Sequence, residues 1–327
     1  MQKLRVFGAY WLLERIGVGG TAEVFRAMRR DAAPAHVALK RLLPMFAEDP
    51  AIASLFLREV GALQRIDHQA VVRLLDAGEV DGAAYLVMPL LGGCSLRRLL
   101  KPHREDLTTN TLPLNVALVI AAQMAQGLAA AHRVGVIHRD VSPTNVQVLV
   151  DGSVVLLDFG IARVAGMAQT THGQGLRGKF AYLSPEQIAG DPLDGRSDLF
   201  ALASVFVEML TGSPPFAGQD RLETLSRVQA AEFVDLPHLP AELNALLRQL
   251  FAHVAADRPD DGDQVAAALL AHVEAAQIPS ITEQIGAMVA QVPPVRQLTL
   301  PTAAEHQGEQ VTDPATDADV TQVQIDS

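Results

Sequence analysis

The sequence predicts an α+β fold in two lobes, β-rich first and α-rich second. Three observations predict it. Short apolar runs bounded by turn residues fill the chain up to about residue 91, and long Ala- and Leu-rich helical patterns take over from Leu114. Apolar residues make up 49% of the 327 positions, ample material for a core. Strands and helices that segregate along a chain indicate α+β architecture.

In the first part, Val37-Ala38-Leu39-Lys40 and Tyr85-Leu86-Val87-Met88 read as strands, the second following the turn signal Asp81-Gly82. Between them residues 50–66 read as a helix, with Leu55, Phe56, Glu59, Leu63 and Ile66 at helical spacing. In the second part, 116–132, 198–210 and 241–254 read as helices, and 146–150 and 154–157 as strands. Ser280-Ile281-Thr282-Glu283 has the pattern of a capping box, and Ile281, Ile285, Met288, Val289 and Val292 fall on one helical face. Such a helix either packs on its own domain or docks a partner. Residues 293–327 hold six acids against one Arg, a net of −5, which is the composition of a disordered tail. The predicted division is therefore 1–91, 92–277, an amphipathic helix over 278–292 and an acidic tail over 293–327.

Charge and cysteine content exclude several function classes. Twenty-six Lys and Arg against 37 Asp and Glu give −11, a poor balance for binding nucleic acid or an anionic membrane. Cys94 is the sole cysteine, so no intrachain disulfide or thiolate metal cluster can form. Met1 to Tyr10 lacks the apolar stretch of a signal peptide. Apolar runs such as Leu199–Val207 fall short of the roughly 18 residues that span a bilayer. These observations predict a soluble, cytoplasmic chain without a membrane span.

Three motifs carry chemistry. Ile16-Gly17-Val18-Gly19-Gly20-Thr21-Ala22-Glu23-Val24 is a glycine cluster between strands, where bare backbone N–H groups could approach phosphate oxygens. Alone it is more often a simple turn, and no Gly-Lys-Ser/Thr follows to make a Walker A loop. Lys40 ends a strand-like run, where it would point into a cleft and need an anionic partner. Glu59 on the next helix is placed to be that partner. Then His138-Arg139-Asp140-Val141-Ser142-Pro143-Thr144-Asn145 precedes Asp158-Phe159-Gly160. Asp158 lies 18 residues beyond Asp140 across a predicted hairpin. That spacing can set an acceptor for a hydroxyl proton beside two oxygen ligands for Mg²⁺.

In this order the motifs resemble those of the eukaryotic-like (Hanks-type) protein kinases, particularly the bacterial serine/threonine kinases, from about Tyr10 to Ala275. The resemblance implies a two-lobed kinase fold and an ATP- and Mg²⁺-dependent transfer to protein serine or threonine hydroxyls, with autophosphorylation, in signal transduction. It implies that Ile16, Gly17, Val18, Gly19, Gly20 and Val24 cover the nucleotide. Ala38, Met88, Pro89 and Leu91 surround the base, Pro89 through its carbonyl and Leu91 through its N–H. Lys40 grips the phosphates and Glu59 positions Lys40. Asp140 accepts the hydroxyl proton, while Asn145 and Asp158 hold Mg²⁺. By the same resemblance Glu186, in Ser184-Pro185-Glu186, pairs with Arg258. Asp198 ties down the catalytic-loop backbone, and Leu63, Leu74, His138 and Phe159 stack into a column linking the lobes.

The chain departs from the family pattern at mutually contacting positions. Ser142 stands where the family's serine/threonine kinases carry a lysine, and Lys179 stands where they carry a threonine bonded to that lysine. The paired departure reads as a swap, with Lys179 supplying the missing positive charge. Gln147 replaces a leucine on the adenine floor, and Ala22 replaces the third loop glycine. Arg139 is expected to receive a phosphate on Thr170 or Thr171. Thr299, Thr302, Thr312, Thr316 and Thr321 are further candidate sites. Protein substrates and a regulatory protein partner follow as expectations. A pseudokinase usually lacks one of Lys40, Asp140, Asn145 and Asp158, all present here. Small-molecule phosphotransferases of the antibiotic-kinase type lack the Ser-Pro-Glu element and its arginine. Tyrosine specificity lacks its catalytic-loop pattern, although Ser142 removes the strongest mark for serine/threonine.

Overall fold

A period of two sorts the side chains of the first lobe onto two faces of one sheet. The computed structural model describes residues 5–19, 22–31, 35–47, 54, 56, 60–101, 110–159 and 179–293. Six antiparallel strands, β1 (Arg5–Phe7), β2 (Tyr10–Val18), β3 (Ala22–Arg29), β4 (His36–Leu42), β5 (Asp76–Val80) and β6 (Ala83–Pro89), lie in the order β1-β2-β3-β4-β6-β5. On β4, Leu39 joins Phe7, Tyr10, Leu12, Phe25, Ala27 and Val87 in a core on one face. Ala38 and Leu42 join the larger core shared with the second lobe. Lys40, between them in the alternation and opposite Val24 and Leu86, is thereby turned to the same side. Arg41 takes the other face, bonded to Glu23 at 2.7 Å and set over the rings of Phe7 and Phe25.

After β4 comes a short helix, α1 (Pro44–Ala47). Of the helix expected over 50–66, Ser54, Phe56 and residues 60–63 are helical, and the chain turns at Gln64-Arg65 before reaching Ile66. Phe56, Val60 and Leu63 are buried in the shared core. The chain leaves β6 through Leu90-Leu91-Gly92-Gly93 and enters β7 (Cys94–Ser95). This strand pairs with β8 (Val146–Val148), which pairs with β9 (Val154–Leu156). Gly93 has φ +84°, and a Cβ there would lie 2.0 Å from the Val148 carbonyl oxygen, so only glycine fits this crossing.

The remaining helices are α2 (Leu96–Leu99), α3 (Leu114–Arg133), α4 (Pro185–Ala189), α5 (Gly195–Thr211), α6 (Arg221–Ala230), α7 (Ala241–Leu250), α8 (Gly262–Leu270) and α9 (Ile278–Ala290). α3 is the centre of the second lobe, packed by α5, α8, α9 and β9. Among the described residues it is the one helix long and apolar enough by itself to cross a bilayer. However, 78% of that stretch is buried inside the lobe, as a core helix should be.

Some element boundaries and one expected cap differ from expectation. β8 and β9 stop at Val148 and Leu156; the pairing runs one bond further at each end, Leu149 N–H to Ser153 O and Leu157 N–H to Asn145 O, and the turn closes with Gly152 N–H on Leu149 O. α7 stops at Leu250 and not at 254, because the carbonyls of Ala252 and His253 turn to the Arg258 guanidinium, at 2.7 and 3.1 Å. α9 begins at Ile278, with Pro279 in its first turn, so Ser280 lies inside the helix and donates to the Gln277 carbonyl. The capping box expected at Ser280–Glu283 therefore does not form. The expected apolar face does, and it packs on α3 and β8 within this domain, with Ile281, Ile285 and Val289 buried. The residues after 293 lie outside those described. If α9 is integral to the second lobe, Ile285→Ala should lower the unfolding free energy by about 2–5 kcal/mol in urea denaturation, with the slope unchanged.

Candidate active site

The β2–β3 hairpin closes with the Gly19 N–H donating to the Ala22 carbonyl at 2.7 Å. Neither Gly17 nor Gly19 has positive φ. A Cβ at Gly17 would meet only Val24 at 3.8 Å, and one at Gly19 only the Ala22 carbonyl at 3.4 Å. The fold itself therefore does not demand glycine at either place. What the glycines leave is bare backbone on the outer side of the hairpin, which suits an approaching anion. Gly20 lies outside the described residues. Ile16 and Val18 are exposed on the hairpin and Val24 is partly buried across from Gly17. Ala38 faces Met88 in the ladder, and Pro89 ends β6 just ahead of Leu91. These residues come from the contiguous strands β2, β3, β4 and β6 and the connection that follows.

Lys40 Nζ donates to Asp158 Oδ1 at 3.0 Å, joining the sheet to the turn after β9. Lys40 foremost, against the opposing effect of burial, holds the Asp158 carboxyl below the usual carboxylate range, and Lys179 adds to the same effect. The expected partner, Glu59, lies outside the described residues. The β8–β9 hairpin returns the chain so that Leu157 N–H donates to Asn145 O at 2.8 Å, which sets Asn145 next to Asp158 in the fold.

Asp140 sits on a loop whose backbone is fastened from behind. The N–H groups of His138 and Arg139 each donate to Asp198 at 2.8 Å, and His132 Nε2 reaches the same carboxylate at 2.8 Å. His138 donates through Nε2 to the Leu157 carbonyl and accepts from the Asp140 N–H at Nδ1, a pattern that selects one tautomer. In front, Asn145 Nδ2 donates to the Asp140 carbonyl at 2.8 Å and to Asp140 Oδ2 at 2.9 Å. Lys179 Nζ donates to the same Oδ2 at 3.2 Å. Asp140, Asn145 and Lys179 are thus brought together, with Asp158 and its partner Lys40 beside them. The His138 and Phe159 rings pack at 4.4 Å between centroids, and Leu63 and Leu74 belong to the core that holds Phe159.

Gln147, which had no physical account from sequence, donates through Nε2 to the Gly92 carbonyl at 3.0 Å and so ties β8 to the chain between the lobes. Thr170 and Thr171 lie outside the described residues. Sequence reasoning missed four residues that shape the site. They are His132, Ser197 (which donates to Glu186 at 2.6 Å), Gln187 (which donates to the Arg139 carbonyl at 2.9 Å) and Thr144 (hydroxyl 2.9 Å from that of Ser142). Gln187 was findable, because Ser184-Pro185-Glu186-Gln187 is itself a capping-box pattern and the box forms there.

A family model described as Protein kinase domain matches residues 10–272. The chain belongs to the protein kinase domain family. The kinase domain is 32% identical to the probable serine/threonine-protein kinase SCO3848 of Streptomyces coelicolor, over 88% of this chain and 43% of that protein. It is 36% identical to the serine/threonine-protein kinase PknD of Mycobacterium tuberculosis, over 72% of this chain and 34% of that protein. It is 31% identical to the tyrosine-protein kinase MasK of Myxococcus xanthus, over 81% and 43%. The chain thus spans less than half the length of these relatives. The crystal structure of the Mycobacterium tuberculosis PknI kinase domain superposes with a TM-score of 0.62 at 27% identity, covering 82% of this chain and 98% of that one.

Glu186 and Arg258 form the buried counterpart of the site in this kinase domain, with two bonds of 2.7 and 2.9 Å. Burial pushes the Glu186 carboxyl up, but the bonds from Arg258 and Ser197 outweigh it and bring the pKa down from 4.5 to about 2. A carboxylate depressed in the folded state stabilises fully above its unfolded value and loses that contribution as pH falls from about 4.5 towards 2. The contribution is on the order of 3 kcal/mol. Urea unfolding between pH 7 and 3 should show about 2 kcal/mol of that loss, and Glu186→Gln should flatten it. Arg258→Met, which strands the carboxylate, should cost about 3–5 kcal/mol at neutral pH.

Proposed function

We propose that this kinase domain transfers the γ-phosphoryl group of ATP to serine and threonine hydroxyls of proteins, itself included, on the cytoplasmic side where ATP is found. The observation that carries the reading is the gathering of Asp140, Asn145 and Asp158 at one end of the β8–β9 hairpin, with Lys40 reaching Asp158 from β4 of the sheet that holds the glycine hairpin. The Gly17–Gly19 stretch leaves its backbone open to the approach of the phosphates, and Lys40 offers its ammonium. Ala38 and Met88 form the apolar surround for the base, with the Pro89 carbonyl and Leu91 N–H as its polar contacts.

The donor set fits Mg²⁺. Asn145 spends its amide nitrogen on Asp140, which leaves its amide oxygen for a cation, and Asp158 adds a carboxylate. Two protein oxygens suit a hard ion that keeps waters and substrate phosphates as its other ligands. Among the described residues no group of three or more His, Cys, Asp or Glu competes as a metal cage. When bound, the ion neutralises phosphate charge. The Asp140 carboxylate, oriented by Asn145, takes the proton of the incoming hydroxyl as its oxygen bonds to the γ-phosphorus and the bond to the bridging β–γ oxygen breaks. The hydrogen-bonded chain from Arg97 through the buried Glu208 to the buried Tyr182, with bonds of 2.5 Å from Arg97 and from Tyr182 to Glu208, holds the segment on which the substrate would rest.

Regulation belongs to the same reading. Arg139 is a receiver for phosphate on Thr170 or Thr171, and a protein partner supplies the input. MasK is named a tyrosine kinase, and with Ser142 in the loop this makes tyrosine the second reading. Incubation with Mg²⁺ and radiolabelled ATP beside Asp140→Asn, with phosphosites mapped by mass spectrometry, separates the two. Label on serine and threonine is expected, falling by roughly 10²- to 10⁴-fold in the variant. Phosphotyrosine alone would select the second reading. ATP binding without any label would sink both.

A further inference from the structure

We infer that Lys179, on the segment that leads into α4, supplies the cation that stabilises the transferring γ-phosphoryl group, in place of any residue of the catalytic loop. The inference rests on the reading of Asp140, Asn145 and Asp158 as a phosphoryl-transfer centre. Residues 140–145, Asp-Val-Ser-Pro-Thr-Asn, contain no cation. Ser142 is buried, and its hydroxyl is engaged with that of Thr144 at 2.9 Å. Lys40 is engaged with Asp158. The reacting group brings further negative charge to a place already holding two carboxylates. A positioned positive charge there stabilises the transition state more than the ground state.

Lys179 meets the geometric requirement. Its Nζ lies 3.2 Å from Oδ2 of Asp140, the carboxylate that takes the hydroxyl proton in this reading. The Lys179 side chain is 38% exposed, so it is not sealed into its ion pair. An ammonium has three donors and can keep Asp140 while bonding a phosphoryl oxygen. The backbone is held on the downstream side by the buried turn Phe180–Tyr182. Arg221 stacks 4.4 Å from the Phe180 centroid there, and the Tyr182 hydroxyl donates to Glu208. Position is therefore set before substrate arrives, which is what electrostatic catalysis needs.

In the step itself the hydroxyl oxygen forms a bond to the γ-phosphorus, the bridging oxygen leaves with ADP and the electron pair, and the hydroxyl proton goes to Asp140. Lys179 keeps its protons and is unchanged.

The test combines Lys179→Thr with the double variant Ser142→Lys/Lys179→Thr, in the full chain. Lys179→Thr should lower kcat by ~10²–10³-fold, with affinity for Mg²⁺-ADP and the melting temperature nearly unchanged. Returning a lysine at 142 should restore at least tenfold of that loss. A binding measurement gives the same answer without turnover. ADP with aluminium fluoride, a mimic of the transferring group, should bind the wild type and the double variant at least tenfold more tightly than Lys179→Thr. Unchanged kcat in Lys179→Thr, or a double variant no better than the single one, would overturn the inference and leave the kinase reading intact. A wild type that binds nucleotide and transfers nothing would overturn both.

Discussion

Asp198, 1% exposed within α5, accepts from the backbone N–H groups of both His138 and Arg139 and from His132, and the geometry of the site depends on those bonds. Arg139 has φ +66°, a left-handed conformation that costs a non-glycine residue on the order of 1–3 kcal/mol. Hydrogen bonds to a charged acceptor contribute roughly 1.5–3 kcal/mol each, so two of them offset that strain. The strained residue is what turns Asp140 outward, towards Asn145 and Lys179. Without the buried carboxylate the same loop would relax, and its catalytic acid–base group would lose its direction before any substrate arrived.

The ion pairs divide by exposure into two kinds. Glu186–Arg258 is sealed, with the Arg258 side chain 0% exposed, and its bonds serve to lock α4 against the turn after α7. Lys179–Asp140 and Lys40–Asp158 each keep one partner open to solvent, with Asp158 47% exposed. A sealed pair is costly to break from either side, whereas a half-open pair can exchange one contact for a ligand oxygen. The same chemistry thus gives structure in one place and a binding centre in the other. The four segments that carry the open pairs, β4, the loop after α3, the turn after β9 and the approach to α4, are anchored in the one core shared by the two lobes, and Asp198 fastens the loop from behind.

Much of this was legible in the sequence because periodicity and spacing are local signals. Alternation placed Lys40 on the same side as Ala38, and the Asp140-to-Asp158 spacing matched a short hairpin. What escaped was set by contacts between distant segments. The pattern Ser-x-x-Glu/Gln occurs at both Ser184 and Ser280, but only the first makes a capping box, because Pro279 and the packing of α9 on β8 start the second helix earlier. The carbonyls that stop α7 point at an arginine whose other partner, Glu186, is 72 residues away. His132 looks like an ordinary helix residue until the fold sets it against Asp198, 66 residues on. Gln147 is odd in a motif comparison yet has a plain role once Gly92 is seen beside it.

The central claim is that one phosphoryl-transfer centre lies where Asp140, Asp158 and Lys179 meet beneath the glycine hairpin. The most direct measurement is a crystal structure of the chain with Mg²⁺ and a non-hydrolysable ATP analogue. The account predicts phosphates against the Gly17–Gly19 backbone, the ion on Asn145 and Asp158, and the γ-phosphoryl oxygens within about 3–3.5 Å of Lys179 Nζ. A nucleotide bound elsewhere, or one bound there with Lys179 turned away to solvent, would contradict it.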